Sequence, residues 1–344
     1  MSALHTTSSP VPSPDLLSAN VIEILRRHGD HSSMALALNQ GVDHFLAPGG
    51  AGMVAYRRIG KTMVQICGPF CSSEERDRTL DSFLGFARNE GCSVAAVQLR
   101  RGDVDAYAKR DFSVNQFGCS YSIDLEQFTL KGTRFMKVRN KISRARRLGV
   151  TVSEAPDEGE NPELSAIDRE WLRGKGRHVN ELAFLVGERG GSGAPLRRIF
   201  VARLDEQPLA YVTYSPVFGS ERPGWLYDLT RRRPSVPPGT IELIFVTALE
   251  QLRERGTEWL HLGLTPFVGL ADEFELPDAR SALITFLGRQ LAEHGEFVYP
   301  ARSQEAFKLK WAPGTVEPEY IAFQGGPSLR ATLGLLRLTK VIPW

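Results

Sequence analysis

From Leu16 onward the hydrophobic pattern alternates between a helical period and short strand-like runs, and it does so in the same order twice. That repetition constrains the fold more than any other feature, because a 3.6-residue stripe and a two-residue alternation bury their apolar sides differently. In the first pass, Leu16, Leu17, Val21, Ile24 and Leu25 mark a helix that stops at Gly29. HFLAP, GMVAYRRI and TMVQICGPF follow as strands, RDRTLDSFLGFARNEG as a helix, SVAAVQL as a buried strand, VDAYAKRDF as a helix running into a turn, and CSYSIDL as a strand. In the second pass ELSAIDREWLRGKG is a helix, RRIFVARL and PLAYVTYSPVF form a hairpin, and GWLYDLTR is a strand. TIELIFVTALEQLRERG is then a helix, EWLHLGL a strand and ARSALITFLGRQLAEHG a helix, and the chain closes on strands at AFKLKW and EYIAF.

This order predicts an α/β (α+β) fold of two tandem N-acetyltransferase-like (GNAT) lobes, 16–130 and 151–325, joined by a basic linker helix over 131–150. A length of 344 residues with 42% hydrophobic content supports two cores. Residues 1–15, rich in Ser, Thr and Pro, read as a disordered tail with no apolar secretory segment. No run approaches the ~20 apolar residues of a spanning helix, so a cytoplasmic protein is expected. Cys67, Cys71, Cys92 and Cys119 lack zinc-ligand spacing and read as reduced thiols, with no metal site. The segment 326–344 spaces Leu329, Leu333, Leu336 and Val341 between Arg330, Arg337 and Lys340. It reads as a docked terminal helix, with peripheral contact to anionic lipid at the inner membrane face as the second reading.

The segment KGTRFMKVRNKISRARRLG holds eight Lys or Arg between Lys131 and Arg147, and no acidic residue occurs from Gln127 to Ser153. On a helix, Phe135, Val138, Ile142 and Ala145 share one face, which anchors it to the protein. Arg134, Lys137, Lys141 and Arg144 form a stripe beside that face, and Arg139, Arg146 and Arg147 cover the other flank. A run of like charge this dense repels itself, so it calls for an anionic partner. Spaced cations suit an RNA phosphate backbone; a linker balanced by acids from a lobe, or a membrane-surface helix, are the other readings.

Several motifs fall away. AYRRIGKT fits a relaxed phosphate-loop pattern, but it joins two strand-like runs and so reads as a hairpin turn. No Gly-x-Ser-x-Gly elbow occurs, and the seven histidines are scattered. A coenzyme A enzyme of this fold carries a glycine-rich loop before its central helix, whereas RRRPSVPPGTIEL offers only Gly239.

Taken together, FMKVRNKISRARRLG, YDLTRRR with GTIELIF, WLHLGLTPFVG, and FKLKW with EPEYIAF resemble the cytosolic C-terminal domain of bacterial phosphatidylglycerol lysyltransferases, over roughly Leu16 to Phe323. The resemblance implies two acetyltransferase-like lobes flanking a basic helix, and an amino acid delivered from its tRNA ester. Residue by residue it implies catalytic roles for Asp228 and Arg231, from the family's Asp-x-x-Arg, and for Lys308 or Lys310, with Lys310 preferred. Gly239, Glu242, Gly263, Thr265, Asp272 and Tyr299 are the expected substrate-binding residues, and the charge pattern of the basic helix makes Arg134, Lys137, Lys141, Arg144, Arg146 and Arg147 the expected tRNA contacts. Where the family has a carboxylate beyond the Gly-Leu-Thr-Pro turn this chain has Ala271, with Asp272 and Glu273 as substitutes.

Strand alternation in FKLKW would place Lys308 and Lys310 on one face, while strict alternation in WLYDLTR separates Asp228 from Arg231 unless the strand bends. The implied mechanism needs no cofactor beyond aminoacyl-tRNA as co-substrate: an acceptor hydroxyl or amine, on lipid or on a soluble small molecule, attacks the ester. Lys310 stabilises the oxyanion, Asp228 orients the acceptor or the ammonium, and Arg231 holds a phosphate. A coenzyme A-dependent N-acyltransferase and a non-catalytic tRNA-binding protein are the competing expectations.

Overall fold

The computed structural model describes residues 14–155, 161–175, 184–294 and 301–338. The first half runs α1 (Pro14–His28), β1 (Asp43–Leu46), β2 (Gly52–Ile59), β3 (Thr62–Cys71), α2 (Arg76–Asn89), β4 (Ser93–Arg100), α3 (Val104–Ala108) and β5 (Phe112–Asp124). The basic helix α4 (Met136–Arg147) and a short edge strand β6 (Thr151–Ala155) follow. The second half comprises α5 (Pro162–Lys175), β7 (Arg198–Leu204), β8 (Gln207–Val217), β9 (Gly224–Arg232), α6 (Thr240–Glu254), β10 (Trp259–Pro266), α7 (Ala282–His294), α8 (Ala301–Leu309), β11 (Thr315–Gln324) and α9 (Leu329–Leu338).

Each half repeats one plan. An antiparallel meander (β1-β2-β3; β7-β8-β9) leads through a crossover helix (α2; α6) to a strand parallel to the last of the three (β4; β10). The GKT of the discarded phosphate-loop pattern is the tight turn between β2 and β3, with Gly60 at φ 57. The halves are nevertheless not separate. The described strands form a single sheet ordered β1-β2-β3-β4-β11-β5-β10-β9-β8-β7-β6. The last strand of the first half, β5, pairs with β10 of the second; the last strand of the second, β11, pairs with β4 of the first; and β5 and β11 pair with each other. The expected C-terminal lobe, 151–325, therefore gives its final strand to the N-terminal half, and the reverse holds too.

Helices cover both faces. On one, α1 and α9 cover the first half and α5 the second; on the other, α2 and α3 lie over the first half and α4, α6 and α8 over the second. Within α9, Ala331, Leu335 and Leu338 are buried against the first-half core, as expected for a docked helix, and residues 339–344 lie outside the described residues. So does most of the expected N-terminal tail.

One element differs from its expected type. AFKLKW is not a strand: Phe307 to Leu309 end helix α8, and Lys310 and Trp311 form the turn after it. Phe307 and Trp311 are four apart, and both pack on Phe245 of α6, with the Trp311 ring stacked 3.8 Å from that of Phe245. That packing favours the helical reading of a segment whose charges also alternate.

Candidate functional site

Among the described residues four polar centres stand out, and the sequence anticipates parts of three. The first is on β9. Val212 and Tyr214, two apart on β8, pair with Thr230 and Tyr227, three apart on β9. The extra residue is a bulge, and it resets the alternation so that Asp228 and Arg231 share the α5 face. Asp228 accepts hydrogen bonds from the Ser215 hydroxyl at 2.6 Å and from the Gly187 amide at 3.0 Å. A Cβ on residue 187 would lie 2.0 Å from the Asp228 carboxylate, so this backbone approach requires glycine. Burial pushes the Asp228 carboxyl up, opposed by Ser215, Arg197, the Gly187 amide and Arg231. Arg231 is 5% exposed, lies over the Trp171 ring at 4.1 Å and reaches Asp168 at 3.7 Å. It is thus occupied inside the protein, which leaves it poorly placed for the expected phosphate.

The second centre lies on the opposite face. Glu242, in the first turn of α6, accepts from Lys310 at 3.1 Å and from Lys141 at 3.2 Å. Gly239 precedes that helix at φ 95, and a Cβ there would meet the Lys141 carbonyl oxygen at 2.1 Å. The N-terminus of α6, where coenzyme A pyrophosphate would dock in this kind of fold, is therefore covered by α4. Lys310 packs with Phe307 and Trp311 on the α6 side, whereas Asp228 bonds Ser215 on the α5 side. The sheet separates them, and the expected joint action of Lys310 and Asp228 on one carbonyl does not fit this geometry.

Lys308 is not on the same face of a strand as Lys310. It is 7% exposed, and its ammonium donates to the carbonyl oxygens of Gly263 at 2.8 Å and Leu264 at 2.9 Å. Those carbonyls are made available by the irregularity in β10 between His261 and Gly263, where Gly263 has φ 70. Burial lowers the Lys308 pKa to about 7. Thr265 is fully buried. Asp272 is exposed and pairs with Arg289 at 2.5 Å, apart from the other chosen residues. Tyr299 lies outside the described residues.

The third centre is α4. Phe135, Val138, Ile142 and Ala145 are buried, as the helical face predicts, and every Lys and Arg from Arg134 to Arg147 is exposed. Among the described residues only Lys141 has an acidic partner; Arg139 donates to the carbonyls of Leu130 and Gly132. Among the described residues Arg134, Lys137, Arg144, Arg146 and Arg147 form no ion pair, which leaves a cationic surface facing solvent.

The fourth centre was missed. A cleft of about 230 Å³ opens where β4, β11, β5, β10 and the loop between β8 and β9 converge with the turn after α1. Ser120 and Ser122 of β5, Glu317 and Glu319 of β11, His31 and His261 line it, and Arg100–Glu221 and Arg222–Glu317 pairs stand at its mouth. His261 Nε2 lies 3.0 Å from the Arg222 carbonyl, to which it must donate, so Nδ1 accepts from the Ser122 hydroxyl at 2.8 Å. Burial drives His261 down to about 4 and His31 to about 3, so both are neutral imidazoles. The signal that could have found the cleft is the polar alternation Ser120-x-Ser122 and Glu317-x-Glu319, within strands otherwise apolar enough to be central.

Fused halves of one plan, each an antiparallel meander crossing through a helix to a parallel strand, define the tandem acetyltransferase-like class, here with a basic helix laid on the second half. The chain belongs to the family described as phosphatidylglycerol lysyltransferase, C-terminal, whose model matches residues 22–323. It is 24% identical over 342 residues to the phosphatidylglycerol lysyltransferase of Bacillus subtilis (strain 168), covering 96% of this chain and 38% of that protein. It is 25% identical over 266 residues to the lysylphosphatidylglycerol biosynthesis bifunctional protein LysX of Mycobacterium sp. (strain JLS), covering 71% of this chain and 23% of that one. The chain thus spans well under half the length of these relatives. Among solved structures, a C-terminal DUF2156 domain from Agrobacterium fabrum shares the fold with TM-score 0.77, 23% identity and coverage of 96% and 99%. L-PGS from Bacillus licheniformis does so with TM-score 0.74, 21% identity and coverage of 95% and 97%.

Proposed function

We propose that this chain moves an aminoacyl group, lysyl in the first instance, from its tRNA ester to a hydroxyl of a phosphatidylglycerol-type lipid. The observation that carries the reading is the unpaired cationic face of α4, fastened to the second half by four buried apolar side chains. An RNA backbone neutralises such a face without base recognition. The names of the relatives supply the lipid and the amino acid. Leu283, Phe286 and Leu287, exposed along one side of α7, favour a lipid acceptor over a soluble one. Among the described residues no helix is long and apolar enough to cross a membrane; the proposed reaction takes place in the cytoplasm, at the inner leaflet.

The ester is already activated, so the chain's work is docking, orientation and exclusion of water. Asp228, fixed by Ser215 and Gly187, is the anion suited to the ammonium of the aminoacyl group, and Arg231 holds the surrounding Asp168–Trp171 wall in place. Lys308, bound to the Gly263 and Leu264 carbonyls, holds the irregular part of β10 in place. Occlusion of the α6 N-terminus by Lys141 weighs against the coenzyme A alternative.

The test mixes purified protein, labelled lysyl-tRNA and phosphatidylglycerol vesicles and follows lysyl-lipid by chromatography. Lipid-linked label that disappears with Asp228→Asn supports the reading; label released only as free lysine, or moved to coenzyme A-dependent products, overturns it. Binding of tRNA should weaken steeply with salt. Replacing Lys137, Arg144 and Arg147 by Ala should lower the log–log salt slope by about one unit per side chain. A flat salt response would remove α4 from RNA binding.

A further inference from the structure

The central cleft contains an acid that the described residues satisfy only in part. Glu319 is 2% exposed, yet its Oε2 has no hydrogen-bond partner. The Ser120 hydroxyl bonds the carboxyl group, but His31 Nε2 stays 3.8 Å from Oε2, beyond hydrogen-bond reach. Lys308 acts on Glu319 electrostatically, but two of its three donors go to the Gly263 and Leu264 carbonyls, and among the described residues no ion pair joins the two. A buried carboxylate oxygen left without a donor costs free energy, which a donor brought into the cleft would recover.

The floor indicates what that donor is. Ser122 spends its proton on His261, so its oxygen is left to accept. The Ser33 amide donates to His31 Nδ1 at 2.9 Å, so the His31 proton sits on Nε2. The floor therefore offers acceptors at Glu319, Ser120 and Ser122 against one donor, and the arginines around it are paired with acids, Arg100 with Glu221, Arg222 with Glu317 and Arg101 with Asp105. An acceptor-rich floor with a single buried carboxylate suits a group with several N–H donors and one positive charge.

We propose that the cleft between the halves is a binding site for a primary ammonium group, held by Glu319 and the hydroxyls of Ser120 and Ser122. The source is either the lysyl co-substrate, through the ammonium that Asp228 does not hold, or a free small amine, and the chemistry is the same for both. The site stands apart from the RNA-binding role of α4 and does not rest on it.

Charges packed around Glu319 set its pH response. Burial raises its carboxyl to about 7, with Glu317 adding to the rise and Lys308 and Arg100 opposing it. His31 stays neutral across this range, as do Cys67 and Cys119, whose thiols burial and Glu319 push up. Lys308 titrates in the same range, so the two groups lose protons as a coupled pair. An ammonium ligand pairs only with the ionised carboxyl, so binding strengthens as pH rises through 7.

The probe is ethanolamine, protonated to above pH 8, titrated calorimetrically into the full chain, with ethylene glycol as the uncharged control. Saturable binding of ethanolamine but not of ethylene glycol is expected, with affinity about tenfold higher at pH 8 than at pH 6. Glu319→Gln should abolish the binding while keeping the thermal midpoint at or above that of the parent. Equal uptake of both probes, no saturable uptake of ethanolamine, or a flat pH profile overturns the proposal, and these readings need no variant to fold. A lysyl-adenosine amide that displaces ethanolamine assigns the site to the co-substrate; failure to displace assigns it to a free amine. The chain with Lys137, Arg144 and Arg147 replaced should lose tRNA and keep ethanolamine, which separates the two proposals.

Discussion

Glycine 187 shows how tightly one residue is bound to the candidate chemistry. Its amide holds Asp228, and any side chain there would enter the carboxylate. Gly187→Ala should cost about 1–3 kcal/mol of stability by overpacking, seen as a lower denaturation midpoint, and should remove transfer with it. Glu319 gives a second prediction at this scale. Its folded pKa of about 7 lies above its unfolded value, so the folded protein holds the extra proton between the two. Stability from this group is full below the unfolded pKa and is lost as pH rises toward 7. Lys308 acts in the opposite sense, since its folded pKa is depressed: stability returns as pH climbs from 7 toward the unfolded lysine value. A dip near neutral pH in the thermal midpoint is expected, and Glu319→Gln should flatten its acid side.

At the scale of elements, most of the chain was legible because periodicity and punctuation agreed. Phe135, Val138, Ile142 and Ala145 declared the buried face of α4, and Gly60 declared the β2–β3 turn. The segment FKLKW misled because its charges alternate with period two while Phe307 and Trp311 sit at helical spacing; the ring of Phe245, remote in sequence, decides between them. Asp228 and Arg231 were legible as a pair, but their shared face depends on a bulge that leaves no local mark. Strand β6 is short and on the sheet edge, with too little burial to show a pattern. The central cleft draws on segments almost 300 residues apart, from His31 to Glu319, so no window contains it. For α4 the prediction concerns anchoring. Ile142→Ala should cost about 2–5 kcal/mol, read by denaturant titration, and should weaken tRNA binding although no cation is touched.

At the scale of the whole molecule the exchanged strands govern behaviour. Because β11 completes the first half and β5 the second, neither half has an intact sheet without the other. Unfolding should follow one cooperative transition, with circular dichroism and tryptophan fluorescence superimposing. A chain ended after residue 150 lacks β11 and α9 and should fail to give a cooperative melt, although it contains α1 to α3 and β1 to β5; two separable transitions in the full chain would contradict this.

The same exchange bears on how the protein is born. A ribosome releases the N-terminal half, which ends with β5 at Asp124, long before the strand that must lie between β4 and β5, starting at Thr315, has been synthesised. Until then two inner strand edges remain open to strangers, so the growing chain depends on slow late closure and on protection while it waits.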